Sequence, residues 1–144
     1  KAIYVPGNAE SIDELRSACA DTDATVLHGE AVVVGGVTIL GLGYAVPETP
    51  FGAWSCDLSE EEATALVAST PKADLFVSHS PPKGVVDRTT AGNSVGSVAV
   101  RETIERVQPA LCLCGHIHDC WGQEGIIGTT RVRNLGPTVN WFDL

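Results

Sequence analysis

Ala73-Asp74-Leu75-Phe76-Val77-Ser78-His79-Ser80-Pro81-Pro82 decides how this chain folds. Five apolar or small residues lead to a histidine, and two prolines then stop the run. Short apolar segments bounded in this way read as buried strands. The prolines fix their own φ and restrict the residue before them, so His79 is expected on a stiff backbone at the end of a strand.

Working outward, the flanks supply helices. Upstream, Ser59-Glu60-Glu61-Glu62 is a capping box with an acidic first turn, which suits the positive end of a helix dipole. That helix is expected to run to about Ser69, with Pro71 ending it. Glu60 to Glu62 are read as a capped, solvated helix start. Downstream, a Gly- and Pro-rich loop over 80–96 leads to a second helix from Ser97 to Val107, with Val98, Ile104 and Val107 inward. A buried strand follows over Ala110 to Cys114, then the turn Gly115-His116-Ile117-His118. At least two further strands are expected, near 127–134 and 138–143.

The opening of the chain has the same grammar. Ala2-Ile3-Tyr4-Val5 reads as a strand stopped by Pro6-Gly7, not as a secretory leader. Ser11-Ile12-Asp13-Glu14 is another capping box, starting a helix to about Ala20 with Ile12, Leu15 and Cys19 on one face. Two β-rich runs around Gly35-Gly36 predict a hairpin. Residues 44–57 hold two prolines and no helical period, and read as a long surface loop. Helices and strands alternate in the middle, with hairpins at the flanks, so the expected class is α/β with a mixed sheet covered by helices. No linker divides the 144 residues, and one domain over 1–144 is expected.

Composition narrows the function. The formal net charge is −9, and the nine Lys and Arg are scattered. A duplex binder would show a basic patch, so no stable nucleic-acid complex is expected. A small phosphorylated substrate remains compatible, because bound cations can supply positive charge locally. No apolar run approaches the roughly 20 residues that span a bilayer, so no membrane partner is expected. Five Cys without regular spacing are poor material for a disulfide framework and read as reduced thiols in a cytoplasmic protein.

Three stretches could carry chemistry: Pro6-Gly7-Asn8-Ala9-Glu10, Val77-Ser78-His79-Ser80-Pro81-Pro82 and Cys114-Gly115-His116-Ile117-His118-Asp119. Each lies just after an expected strand, where α/β proteins place ligands. Imidazole and amide oxygen suit Zn, Mn, Fe, Co or Ni.

In this order the three motifs resemble the second half of the calcineurin-like metallophosphoesterase signature: a Gly-Asn, a His after a later strand, and a closing Gly-His-x-His. Pro81-Pro82-Lys83-Gly84, Asp87-Arg88-Thr89, Val95-Gly96-Ser97, Gln108-Pro109 and Asn134-Leu135-Gly136-Pro137 are similar to small bacterial and archaeal members. The resemblance implies the larger part of a four-layer α/β/β/α sandwich. It implies a hydrolase of phosphate esters, more a phosphodiesterase than a phosphatase, using two divalent ions (Mn, Fe, Zn, Ni or Co). Asn8, His79 and His116 would ligate the second metal, and His118 the first. Asn8 and His116 would also serve catalysis, the Asn8 amide facing the phosphate. In the family a hydroxide bridging both ions attacks phosphorus. A homodimer is compatible with the resemblance.

Two departures stand out. The family's opening Asp-x-His and Gly-Asp-x-x-Asp are absent, since only seven residues precede Asn8 and none is Asp or His. The favoured reading is that the chain begins after the first part of its metal site; a partner chain supplying the front, or a degenerate remnant kept as a scaffold, are the alternatives. Second, Ala9 stands where many members carry the His that protonates the leaving group, which favours esters with better leaving groups.

Other residues have plainer readings. His28 matches no ligand motif and reads as structural. Cys112, Cys114 and Cys120 read as small buried hydrophobes, although Cys114, His116, His118 and Cys120 together invite a single structural zinc. Trp54, Trp121 and Trp141 read as core or loop packing, with Trp54 also able to line a cleft. Asp87 and Arg88 read equally as substrate contacts or as a surface ion pair.

Overall fold

The computed structural model describes residues 1–144. Eight strands are present: β1 (Ile3–Tyr4), β2 (Thr25–Val26), β3 (Ala31–Val34), β4 (Val37–Leu42), β5 (Leu75–Ser78), β6 (Leu111–Cys114), β7 (Glu124–Ile127) and β8 (Thr130–Asn134). Three α-helices accompany them: α1 (Ile12–Cys19), α2 (Glu60–Val67) and α3 (Val98–Val107).

Six strands form one mixed sheet in the order β3-β4-β5-β6-β8-β7. The four central strands β4, β5, β6 and β8 run parallel, and antiparallel β3 and β7 close the two edges. β1 and β2 make a separate parallel pair. Parallel strands need crossovers, and α2 and α3 provide those leading into β5 and β6.

Strand alternation sets the layers. Leu40, Phe76, Cys112 and Val132 are register partners across the centre of the sheet and point to one face. There they join Ala63 and Val67 of α2 and Val100, Ile104 and Val107 of α3 in one buried cluster. The opposite face receives the small pair: a Cβ on Gly41 would lie 2.4 Å from Leu27 Cβ and 3.2 Å from Val5 Cγ2. The fold is thus a mixed α/β sandwich in which β1 and β2 stand where the expected second sheet would be. α1 packs beside β2.

Both predicted capping boxes form, at Ser11–Glu14 and Ser59–Glu62. The hairpin at Gly35-Gly36 forms with φ of 59° and 86°, values that only glycine adopts cheaply. Ile12, Leu15 and Cys19 do face inward from α1, but only half-buried.

Several expectations are corrected. Val98 is 43% exposed, because at the first position of α3 it lies above the layer that Val100, Thr103, Ile104 and Val107 bury. Residues 127–134 are the turn and second arm of the β7–β8 hairpin, not one strand. Residues 138–143 form no strand: β8 already has β6 on one side and β7 on the other, so no edge is open beside it. Trp141 is correspondingly exposed.

Glu60 does more than begin a solvated helix. Its carboxylate accepts from Val98 N at 2.9 Å, Ala99 N at 2.8 Å and Ser97 Oγ at 2.8 Å, so it caps α3 from α2. A carboxylate at a helix N-terminus satisfies otherwise orphaned donors and meets the positive end of the dipole. Glu60→Ala is expected to cost about 1–2 kcal/mol of stability, read from the urea midpoint at unchanged slope. A loss no larger than that of Glu61→Ala, whose side chain is exposed, would show the cap to be idle. No helix is long and apolar enough to cross a membrane.

Candidate metal centre

The candidate residues stand at the carboxyl ends of neighbouring strands. His79 follows β5, and its backbone continues the ladder for one residue: His79 N donates to Leu42 O at 2.9 Å, and His79 O accepts from Gly115 N at 3.0 Å. That second bond draws the turn after β6 alongside and brings His116 to His79. Asn8 arrives from β1. Its approach is close, since a Cβ on Gly43 at the end of β4 would overlap Pro6 Cγ at 2.3 Å.

His79 Nε2 lies 3.0 Å from Asn8 Oδ1 and 3.1 Å from His116 Nδ1. One ring nitrogen therefore faces two further donor atoms at once. A single proton on Nε2 can serve both only as a shared, bent hydrogen bond. Both separations from His79 Nε2 match the spacing of neighbouring ligands on one ion with bonds of about 2.1 Å, so these residues could hold a transition ion between them. The set is neutral, two imidazoles and an amide, which suits a transition ion better than calcium.

His118 does not join that cluster. It opens a short 3-10 turn (His118–Cys120), is exposed, and its ring sits 4.3 Å from that of Trp121. It remains near enough for its charge to depress the pKa of both other histidines. Burial is the main cause at His79, which is held down to about 4, with His116 and His118 adding to it. Burial likewise lowers His116, with His118 adding and Asp57 opposing. Both imidazoles are therefore neutral at pH 7 and free to coordinate.

The His116 turn is strained. Its φ is 62°, left-handed for a residue that has a Cβ. Asn134, wholly buried at the end of β8, holds it: Nδ2 donates to Gly115 O and Ile117 O, each at 3.1 Å. The loop over 80–96 is held by Asp87, which corrects both readings of that residue. Asp87 is 1% exposed, and its Oδ2 accepts from Gly84 N, Ser94 Oγ and Gly96 N. Burial pushes its pKa up, and those bonds with nearby Lys83 outweigh the push and hold it low. Arg88 donates to Gly92 O instead of pairing with Asp87.

Sequence reasoning missed Ser55 and Asp57. Both lie in the 44–57 loop, which carries no motif, and only the fold places them behind Asn8. Asn8 Nδ2 donates to Ser55 Oγ at 2.9 Å, and Ser55 Oγ donates to Asp57 Oδ1. Asp57 Oδ2 accepts from Thr49 N at 2.6 Å and Thr49 Oγ1 at 2.7 Å. Burial pushes the Asp57 carboxyl up, but its bonds from Ser55 and Thr49, with His116 nearby, hold it below the usual range.

The remaining residues have structural duties. His28 Nδ1 accepts from Gly43 N at 3.2 Å, and its ring leans on Tyr44. Cys112, Cys114 and Cys120 are buried within the core cluster. The thiols of Cys114 and Cys120 donate to Arg133 O and Arg88 O respectively. Trp54 is exposed and stacks on Phe51 at 5.3 Å. Phe51 in turn lines a cavity of about 420 Å³ that shares His116 as a wall, with Thr49, Lys83, Val95 and Ile117 among its other lining residues.

No family model matches the chain. Metallophosphoesterase domain-containing protein 1 of Homo sapiens and of Mus musculus are each 31% identical over 141 residues, covering 94% of this chain and 40% of theirs. A UPF0046 protein of Caenorhabditis elegans is 30% identical over 115 residues, 78% of this chain and 38% of its own. The chain thus spans about two fifths of the length of these relatives. Among solved structures, one crystal structure superposes with a TM-score of 0.73 at 22% identity, over 93% of this chain and 56% of that one. The protein TT1561 of Thermus thermophilus superposes at 0.67 with 20% identity, over 93% and 62%. On the metallophosphoesterase relatives and the shared fold, the chain belongs to the calcineurin-like metallophosphoesterases.

Proposed function

We propose that this chain carries the second-metal half of a phosphate-ester hydrolase centre. The observation that carries the reading is that Asn8 Oδ1 and His116 Nδ1 lie 3.0 and 3.1 Å from His79 Nε2, bringing three neutral donors together from three separate strand ends. Those residues would hold one divalent ion. His118, beside them at the rim, is the ligand proposed for the other. When bound, such ions activate water and neutralise charge on the phosphoryl oxygens.

The chain's own residues supply position and access. His79 and His116 are neutral at pH 7, so binding an ion needs at most a shift of the ring proton to the other nitrogen, not its net loss. Asn8 uses one amide hydrogen on Ser55 and keeps the other for a phosphoryl oxygen. The cavity beside His116 gives an organic arm of the ester a place with apolar walls from Val46, Val95 and Ile117. Ala9 offers no proton to the departing oxygen, which favours diesters with good leaving groups over simple alkyl monoesters. A small phosphorylated substrate, a cytoplasmic location and one phosphoesterase domain over 1–144 belong to the same reading.

The test is hydrolysis of bis(4-nitrophenyl) phosphate with Mn²⁺, alongside metal content by plasma mass spectrometry. Metal-dependent turnover that His79→Ala removes together with bound metal is the expected result. Metal content unaffected by His79→Ala would refute this ligand assignment. A single ion per chain without turnover would favour a non-catalytic metal-binding remnant.

A further inference from the structure

We infer that Asp57 sets which way the Asn8 amide faces, through Ser55, and so decides whether Asn8 offers oxygen or NH₂ to His79. The inference rests on the metal-centre reading for its purpose, but its geometry stands alone.

Hydrogen-bond polarity fixes the direction of the relay. An ionised carboxylate only accepts, so Ser55 must give its one hydroxyl proton to Asp57 Oδ1. Ser55 Oγ is then left as an acceptor toward Asn8, and Asn8 must turn Nδ2 to it. The amide oxygen is thereby aimed at His79 Nε2 at 3.0 Å. Asn8 cannot reverse without presenting its oxygen to an oxygen that has no proton to offer. The acceptor-only end of the relay lies about three side chains from the metal locus, yet it fixes the sign of the ligand there. Hydrogen-bonded partners behind the ligands orient them in metal sites generally.

Asp57→Asn, made in a Thr49→Val background, is a near-isosteric change with a forced outcome, because Thr49 Oγ1, 3.2 Å from Ser55 Oγ, is otherwise a second taker for the Ser55 proton. The Oδ2 position accepts the backbone N–H of Thr49 at 2.6 Å, and a backbone donor cannot reverse. The asparagine must keep its oxygen there and turn NH₂ toward Ser55. Ser55 then accepts from residue 57 and donates toward Asn8, whose amide flips and presents NH₂ to His79. Asp57 is a positioning residue in this scheme; it does not touch the metal locus.

Two measurements test it on the full chain. The first needs no metal: long-range ¹H–¹⁵N NMR of the chelator-treated protein at pH 7 reads the tautomer of His79. The wild type is expected to carry its proton on Nε2, facing the Asn8 oxygen, and Asp57→Asn in the Thr49→Val background to carry it on Nδ1, because Nε2 must then accept. The same tautomer in both would overturn the relay. The second is a Co²⁺ titration followed by absorption. Asp57→Asn in that background is expected to weaken binding about 10–100-fold, with unchanged circular dichroism. Ser55→Ala cuts the relay, so adding Asp57→Asn to it is expected to cost nothing more. A full additional loss in the double variant would show that Asp57 acts on the fold and not through Ser55. Should the wild type bind no Co²⁺, the metal reading fails, while the tautomer result still decides the relay.

Discussion

Replacing Asp87 with alanine is expected to lower the free energy of unfolding by about 3–4 kcal/mol. The side chain is 1% exposed, and its Oδ2 alone accepts from Gly84 N, Ser94 Oγ and Gly96 N. Removing it orphans two backbone donors and a hydroxyl in one buried place, and each unmet donor costs about 1–3 kcal/mol. The loop cannot easily relax, since a Cβ on Gly96 would already meet Pro82 O at 2.7 Å and Asp87 Cβ at 2.8 Å. Asp87→Asn keeps an acceptor and is expected to cost less than half as much. Urea unfolding of both variants decides: equal losses would mean that negative charge, not acceptor geometry, holds the loop. A loss below about 1 kcal/mol for Asp87→Ala would mean that water replaces the carboxylate freely.

The second large effect is a pH dependence. In chelator-treated protein, stability is expected to fall by about 3 kcal/mol between pH 6.5 and 4 on account of His79 alone. The sign follows from the direction of the shift. Burial, with the charges of His116 and His118, holds the folded pKa at about 4, whereas the unfolded chain titrates near the ordinary value of 6.5. Above 6.5 both states are neutral and the stability is fully present. As pH falls through the window, the unfolded chain takes up a proton that the folded chain refuses, and the equilibrium shifts toward unfolding. Below about 4 both are protonated and this loss levels off. His79→Gln is expected to flatten that part of the curve, and a variant with the wild-type slope would show His79 to be as readily protonated in the fold as outside it. Adding Mn²⁺ is expected to steepen acid loss in the wild type, since proton and ion compete for the same nitrogen.

Local reading succeeds at His79 and stops at Asp87. His79 is recognisable because its signal is local: an apolar strand, a histidine and two prolines in succession. The same holds for the Gly-His-x-His turn and for the two capping boxes, whose partners are three residues apart. Asp87 is visible in the sequence only as a charged residue in a loop, and its burial depends on strands and helices that close over it. Glu60 looks solvated for the same reason, because the helix it caps begins 38 residues later. Val98 is misplaced by counting apolar positions along a helix whose first residue lies beyond the core.

The sequence alone therefore determined the elements up to β6, their order, the α/β class and the strand-end motifs, because each depends on contacts within a few residues, whereas it misplaced the strands after Cys114. Only the tertiary structure decided which of those motifs meet. Parallel pairing of β5 and β6 brings His79 to His116, the packing of Pro6 on Gly43 brings Asn8 to His79, and His118 is left at the rim. It also decided that the motif-free 44–57 loop would put Ser55 and Asp57 behind Asn8. The physical reason is distance along the chain: Asn8 and Ser55 are 47 residues apart, and a hydrogen bond across that separation is set by how sheets and loops pack, which no local pattern records.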